Sequence, residues 1–152
     1  MDEWVAEAID LIEWANGDVT TEWGKKRAEA GHPEPFNLKY LGLGNEEKIT
    51  PEFEERFKYI YYKIREKHPE IIIVGTAGPG SHKGNPDYDT GWRIAEDIDL
   101  AILDEHYYEP RDYFLNNQQN YDNYPRKRKT KVYLGEYAAK DKKMADALYE
   151  AL

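Results

Sequence analysis

Residues Ile71-Ile72-Ile73-Val74 form an unbroken β-branched run between Pro69 and Gly75. Such a run predicts a strand buried on both faces, as in a parallel sheet, whereas a sheet with one wet face would alternate apolar and polar residues. A parallel neighbour cannot be reached through a tight hairpin. It needs a crossover of a dozen or more residues, usually helical. This one segment therefore restricts the chain to strands alternating with helices.

The flanking segments fit that requirement. Trp4, Val5, Ala8, Ile9, Ile12 and Ala15 recur at helical spacing, and Asn16-Gly17 is suited to end the helix. Thr20-Thr21 can cap a shorter helix that runs to about Ala30 and is closed by Gly31 and Pro33. Lys39 to Gly44 predicts a short buried strand around Tyr40, Leu41 and Leu43. Thr50-Pro51-Glu52 then combines a capping hydroxyl, a proline suited to the first turn and an acid facing the helix dipole. Phe53, Phe57, Ile60, Tyr61 and Ile64 make the apolar stripe of that helix up to His68.

After Val74, residues 75–89 are rich in Gly, Pro and Asn and read as a loop. Trp92, Ile94, Ala95 and Ile98 predict a brief helix in which Trp92 packs in the core. Leu100 to Leu103 is a third strand leading into Asp104-Glu105-His106, and an aromatic loop over 107–124 precedes a fourth strand, Lys131 to Gly135. Glu136 would stand at the end of that strand, and 140–152 would close the chain as a helix. The order predicts an α/β fold with a parallel sheet, in a single domain over 1–152.

Composition narrows the classes of function. With 40% apolar and 14% aromatic residues the chain can form a core, so its 34% charge is read as solvated surface and not as disorder. The net charge of −9 disfavours nucleic acid and anionic membranes, and the short basic run Arg126-Lys127-Arg128-Lys129 does not reverse it. No cysteine is present to make a disulfide framework or a thiolate zinc site. His82 has no partner at metal-ligand spacing, so neither a metal nor a cofactor is expected. The first 16 residues begin with acids and are apolar on one face only, which argues against a signal peptide or a spanning helix; as written, the chain is expected in the cytoplasm.

In parallel α/β folds ligands bind beyond the C-terminal ends of the strands. Asn45-Glu46, Asp104-Glu105-His106 and Glu136 all fall there. Two carboxylates from separate strands suit glycoside hydrolysis, in which one protonates the leaving oxygen while the other attacks the sugar carbon. Aromatic residues nearby suit the apolar faces of a sugar. The same acids also fit helix caps or exposed loop positions, and Asp104 and Glu105 fit structural partners of neighbouring loops.

Three strings go further. Gly31-His-Pro-Glu-Pro-Phe-Asn-Leu-Lys-Tyr-Leu-Gly-Leu-Gly-Asn-Glu46 resembles the segment leading into the acid/base of glycoside hydrolase family 51 α-L-arabinofuranosidases. Asp104-Glu-His-Tyr-Tyr-Glu-Pro110 and Val132-Tyr-Leu-Gly-Glu-Tyr-Ala138 resemble two more motifs of that family, in the same order, and Ile9-Asp-Leu-Ile-Glu-Trp-Ala-Asn-Gly17 fits as well. The resemblance implies a retaining arabinofuranosidase with Glu46 as general acid/base and Glu136 as nucleophile. It also implies that Asn45 bonds the sugar 2-hydroxyl, that His106 is the active-site histidine, and that Tyr108 lines the sugar pocket and can bond the nucleophile. Those roles ask Glu46 to hold a proton where Glu136 stays ionised.

The family's catalytic domain is a (β/α)8 TIM barrel. The chain has about four of its strands, corresponding to the fourth to seventh, so the expected fold is a partial barrel carrying both catalytic glutamates. A complementary half-barrel or a homo-oligomer would close it, around an arabinose-containing oligosaccharide or polysaccharide. A catalytically silent barrel fragment and a related glycosidase of other sugar specificity remain alternatives.

Overall fold

The computed structural model describes residues 1–80 and 82–140, so nearly all of the helix expected over 140–152 lies outside the described residues. The chain divides into two compact units, Met1–Leu41 with Pro51–Ile73, and Gly42–Thr50 with Val74–Leu152.

The first unit holds helices α1 (Asp2–Asn16), α2 (Glu22–Glu29) and α3 (Pro51–Lys67). Helix α1 buries the expected face through Val5, Ile12 and Ala15, and packs against both α2 and α3, whose Phe57 and Ile64 are buried. Thr21 caps α2 by accepting the Gly24 amide at 3.1 Å, as its hydroxyl predicts. Asn16 then braces the following loop, donating to the Leu38 carbonyl at 2.8 Å and accepting the Leu38 amide at 2.7 Å.

Arg27 is fully buried on α2. Its guanidinium donates to the carbonyls of Trp14 (3.0 Å), Gly17 (2.8 Å), His32 (3.0 Å) and Pro33 (3.0 Å). Those oxygens belong to the end of α1 and to the irregular segment after α2, where helix geometry supplies no donors of its own. One side chain therefore satisfies both chain ends that α2 separates.

Among the described residues one four-stranded sheet has the order β1-β2-β3-β4. Strand β1 (Tyr40–Gly42) is joined to β2 (Ile72–Thr76) by Ile72 N–H to Lys39 O and Leu43 N–H to Val74 O, both at 2.8 Å. Strands β3 (Ile102–Glu109) and β4 (Lys131–Ala139) follow, and β2–β3 and β3–β4 are parallel. Helix α4 (Pro86–Asp97) crosses from β2 to β3, capped by Asn85, which accepts the Asp87 and Tyr88 amides. Gly91 lets it approach closely, since a Cβ there would lie 2.9 Å from the Ala77 Cα. A short helix α5 (Arg111–Asn116) and a 3-10 turn (Asn120–Asn123) lie where an aromatic loop was expected.

Both site-bearing strands are longer than the sequence suggests. β3 continues past Leu103 to Glu109, and β4 past Gly135 to Ala139, so Glu136 lies inside its strand and not at the strand's end. Likewise α4 starts at Pro86, within the stretch read as loop. Charged residues and glycine look like strand ends only because their partners are distant in sequence.

Arg27→Lys should lower the urea-unfolding free energy by about 2 kcal/mol, because an ammonium cannot span four carbonyls that a planar fork reaches. An unchanged unfolding midpoint would show that the buried fork contributes little.

Candidate active site

The loop after β1 carries Glu46 and is pinned within the second unit. Thr76 donates its hydroxyl to the Asn45 carbonyl and accepts the Gly78 amide at 2.9 Å, while Ile49 N–H donates to Asp87 at 2.8 Å. Gly78 is in the left-handed region (φ +75), and a Cβ there would lie 2.9 Å from Ile49. Asn45 is exposed and donates its amide to Glu47 at 2.6 Å.

Strand alternation supplies the rest. Asp104, His106 and Tyr108 are two apart on β3, so they share one face. His106 is 4% exposed; its Nδ1 lies 2.9 Å from Glu46 Oε1 and its Nε2 3.2 Å from Asp104 Oδ2. Glu136 Oε2 is 3.9 Å from the same Nδ1. Tyr108 donates its hydroxyl to Glu136 Oε2 at 2.5 Å. Burial works against a charged imidazole, but the hydrogen bond to Glu46 and the charges of Asp104 and Glu136 outweigh it and hold the His106 pKa above 6.5. The bond to Glu136, an acceptor that needs the proton, raises the Tyr108 phenol above 10.0.

Glu136 reaches this face through a bulge. Asp104 pairs with Tyr133 and Glu105 with Leu134, but His106 pairs with Glu136, so Gly135 is an extra residue on β4. In unbroken register Gly135 would oppose His106, and Glu136 would point to the other face.

One ligand atom from each of Glu46, His106 and Glu136 lies within 4.8 Å of the others. A divalent cation could bridge two carboxylates and an imidazole so placed, yet both ring nitrogens already face carboxylates. The same spacing suits two carboxylates flanking a single glycosidic bond, one toward its oxygen and one toward its carbon.

Residues 1–126 match the family described as the alpha-L-arabinofuranosidase 1 domain. The chain belongs to that family. It is 42% identical over 97% of its length to an extracellular exo-alpha-L-arabinofuranosidase of Streptomyces chartreusis, and 35% identical over 97% to alpha-L-arabinofuranosidase 2 of Arabidopsis thaliana. Among solved structures, an arabinose-bound GH51 α-L-arabinofuranosidase superposes with a TM-score of 0.70 at 27% identity, over 90% of this chain. The matched portions are 18%, 21% and 20% of those proteins. The chain thus spans about one-fifth of the relatives' length, and its four parallel strands alternating with helices form a partial (β/α) barrel.

Of the residues that the arabinofuranosidase resemblance singles out, the structure brings Glu46, His106, Tyr108 and Glu136 into one cluster, with Asn45 beside it on the exposed loop. Glu136 lies past the segment matched by the family. Two participants were not foreseen as such. Asp104 touches His106 directly, and Gly135 supplies the extra residue; the period-two pattern Asp104, His106, Tyr108 was the available signal for the first.

The opposite face of β3 is built differently in this arabinofuranosidase-family chain. Glu105 is fully buried and accepts from Tyr88 (2.8 Å), Trp92 Nε1 (2.8 Å), Tyr107 (3.1 Å) and Tyr124 (2.9 Å). Trp92 is core, as expected, and Glu105 is the structural partner its position allowed. Burial dominates and raises the Glu105 carboxyl above 4.5, against four hydrogen bonds that favour its charge.

Between 4.5 and the raised folded value the native state keeps a proton that the unfolded chain has released. Stability owed to Glu105 is therefore fullest below that window and falls as pH rises through it. Relative to Glu105→Gln, which cannot titrate, the wild type should lose unfolding free energy on going from acid to neutral pH; a pH-independent difference would contradict the raised value. Glu105→Ala should cost about 3 kcal/mol at acid pH, and less as pH rises through that window, because it orphans several buried donors.

Proposed function

We propose that the chain carries the reacting half of a retaining α-L-arabinofuranosidase, with Glu136 as nucleophile and Glu46 as general acid/base. One observation carries this reading: Glu46 Oε1 and Glu136 Oε2 stand 2.9 and 3.9 Å from the same imidazole nitrogen. Carboxyl groups about 5 Å apart leave no room for a water between them and the sugar, which favours a covalent intermediate over direct hydrolysis.

In the first displacement a Glu136 oxygen attacks the anomeric carbon as the glycosidic C–O bond breaks, and Glu46 gives its proton to the departing oxygen. A water then gives a proton to Glu46 and attacks the same carbon, releasing Glu136. Tyr108 orients the Glu136 oxygen through its 2.5 Å hydrogen bond. The His106 ring, within reach of both carboxylates, holds them in place. Asn45, beside Glu46, would bond the sugar 2-hydroxyl.

Glu46 and Glu136 each keep 41% of their side-chain surface exposed. Water-exposed carboxylates gain less from preorganisation than enclosed ones. We therefore assign to a complementary half-barrel, or to further copies of this chain, the task of covering the sugar, and arabinose-containing oligosaccharides or polysaccharides as substrates.

Intact mass after incubation with a mechanism-based arabinofuranosyl trapping reagent tests the roles. The folded chain, alone or mixed with the remainder of a barrel, should gain one adduct, and Glu136→Gln should gain none. An adduct that persists in Glu136→Gln would refute the nucleophile assignment. Absence of any adduct even with the complementary half present would favour a silent assembly module.

A further inference from the structure

We infer that Asp104 is the positioning residue of this site: one carboxylate clamps the β4 bulge and the His106 ring together, and so sets Glu136 on the catalytic face. The inference rests on the reading of Glu136 as nucleophile and extends it to the device that places it. Asp104 Oδ1 accepts the Gly135 amide at 2.8 Å, and Oδ2 lies 3.2 Å from His106 Nε2. The carboxylate thus bonds the extra residue of one strand and the imidazole of the other.

Sterics agree with the hydrogen bonds. A Cβ on Gly135 would lie 2.4 and 2.6 Å from the two Asp104 oxygens and 2.8 Å from Cγ. Real Cβ atoms do not approach so closely, so the carboxylate occupies the space that any side chain at 135 would take. Gly135 has no left-handed backbone to explain it; a side chain there would push the Asp104 carboxylate off its two bonds. A bulge otherwise costs a ladder hydrogen bond, because the extra residue is left unpaired, and here Asp104 takes up the amide that the ladder drops. The same carboxylate settles one proton of the imidazole. An ionised carboxylate only accepts, so His106 carries hydrogen on Nε2, and Nδ1 is the atom turned to Glu46 and Glu136.

Asp104→Asn distinguishes this role from mere support of the fold. To keep the Gly135 bond the carboxamide must turn its oxygen to that amide and its NH2 to His106, which makes Nε2 an acceptor and moves the neutral ring's proton to Nδ1. Long-range 1H–15N imidazole spectra of the 15N-labelled full chain, at mildly alkaline pH, read this directly. Wild type should show a protonated Nε2 on His106 and Asp104→Asn an unprotonated one, with shifted Gly135 and Glu136 amides. An unprotonated Nε2 in the wild type, or spectra that Asp104→Asn leaves unchanged, would overturn the inference, and the wild-type spectrum decides even where the variant does not fold.

A second pair of variants tests the clamp sterically. Gly135→Ala should destabilise the chain, and Asp104→Ala combined with Gly135→Ala should recover much of that loss, because the clash is gone. Labelling of Glu136 by the arabinofuranosyl trapping reagent should still stay about a hundredfold slower than in the wild type, the scale expected of a nucleophile misplaced by about an ångström. Recovery of labelling along with stability would overturn the inference. A wild type that shows the protonated Nε2 but no labelling would count against the nucleophile reading alone.

Discussion

A carboxylate without water, Glu105, is the constraint on which the second unit depends. Removing a charge from solvent costs several kcal/mol unless donors replace the water. Four aromatic side chains supply those donors, from α4 (Tyr88, Trp92), β3 (Tyr107) and the segment after the 3-10 turn (Tyr124). Meeting the demand of one group brings three separate pieces of chain to a common point. Because side chains on a strand alternate, fixing Glu105 on one face commits Asp104, His106 and Tyr108 to the other. The cage and the His106 cluster are two sides of the same strand, and the first decides where the second points.

The two faces treat charge in opposite ways. Around Glu105 a single carboxylate is surrounded by neutral phenols and an indole, and burial holds its proton affinity up. Around His106 three carboxylates surround one buried ring, and the hydrogen bond to Glu46 and the charges of Asp104 and Glu136 hold its proton affinity up. An acid dispersed among dipoles is a fixed structural object, whereas acids gathered on a titratable ring can exchange protons with whatever enters between them. The difference separates the residues that hold the sheet from those suited to react.

Local pattern made much of this legible. The β-branched run at Ile71 to Val74 and the stripes of Val5, Ile12 and Ala15 and of Phe57 and Ile64 correspond to the observed strand and helices, because burial repeats at the period of each element. Proximity of Glu46, His106, Tyr108 and Glu136 was legible through the motifs that carry them. Arg27 was not, since its four carbonyl partners are defined only by how the chain turns around it. The true lengths of β3 and β4 were hidden for a similar reason: Asp104, Glu105 and Glu136 look like residues that end strands until their long-range partners are known. Gly135 was misread most instructively. Its composition says terminus, while its role is to add one residue to a strand that continues.

That added residue gives the site a dependence on parity. Identity of the motif residues is not sufficient for β4 to present Glu136; the number of residues between Tyr133 and Glu136 must be the one that turns an outward position inward. Loss or gain of a single residue there would leave every motif side chain in the sequence, keep the apolar character of the strand, and turn the carboxylate away from its imidazole. A one-residue indel between Tyr133 and Glu136 would therefore part the cluster from the scaffold while leaving every letter of the motifs in place.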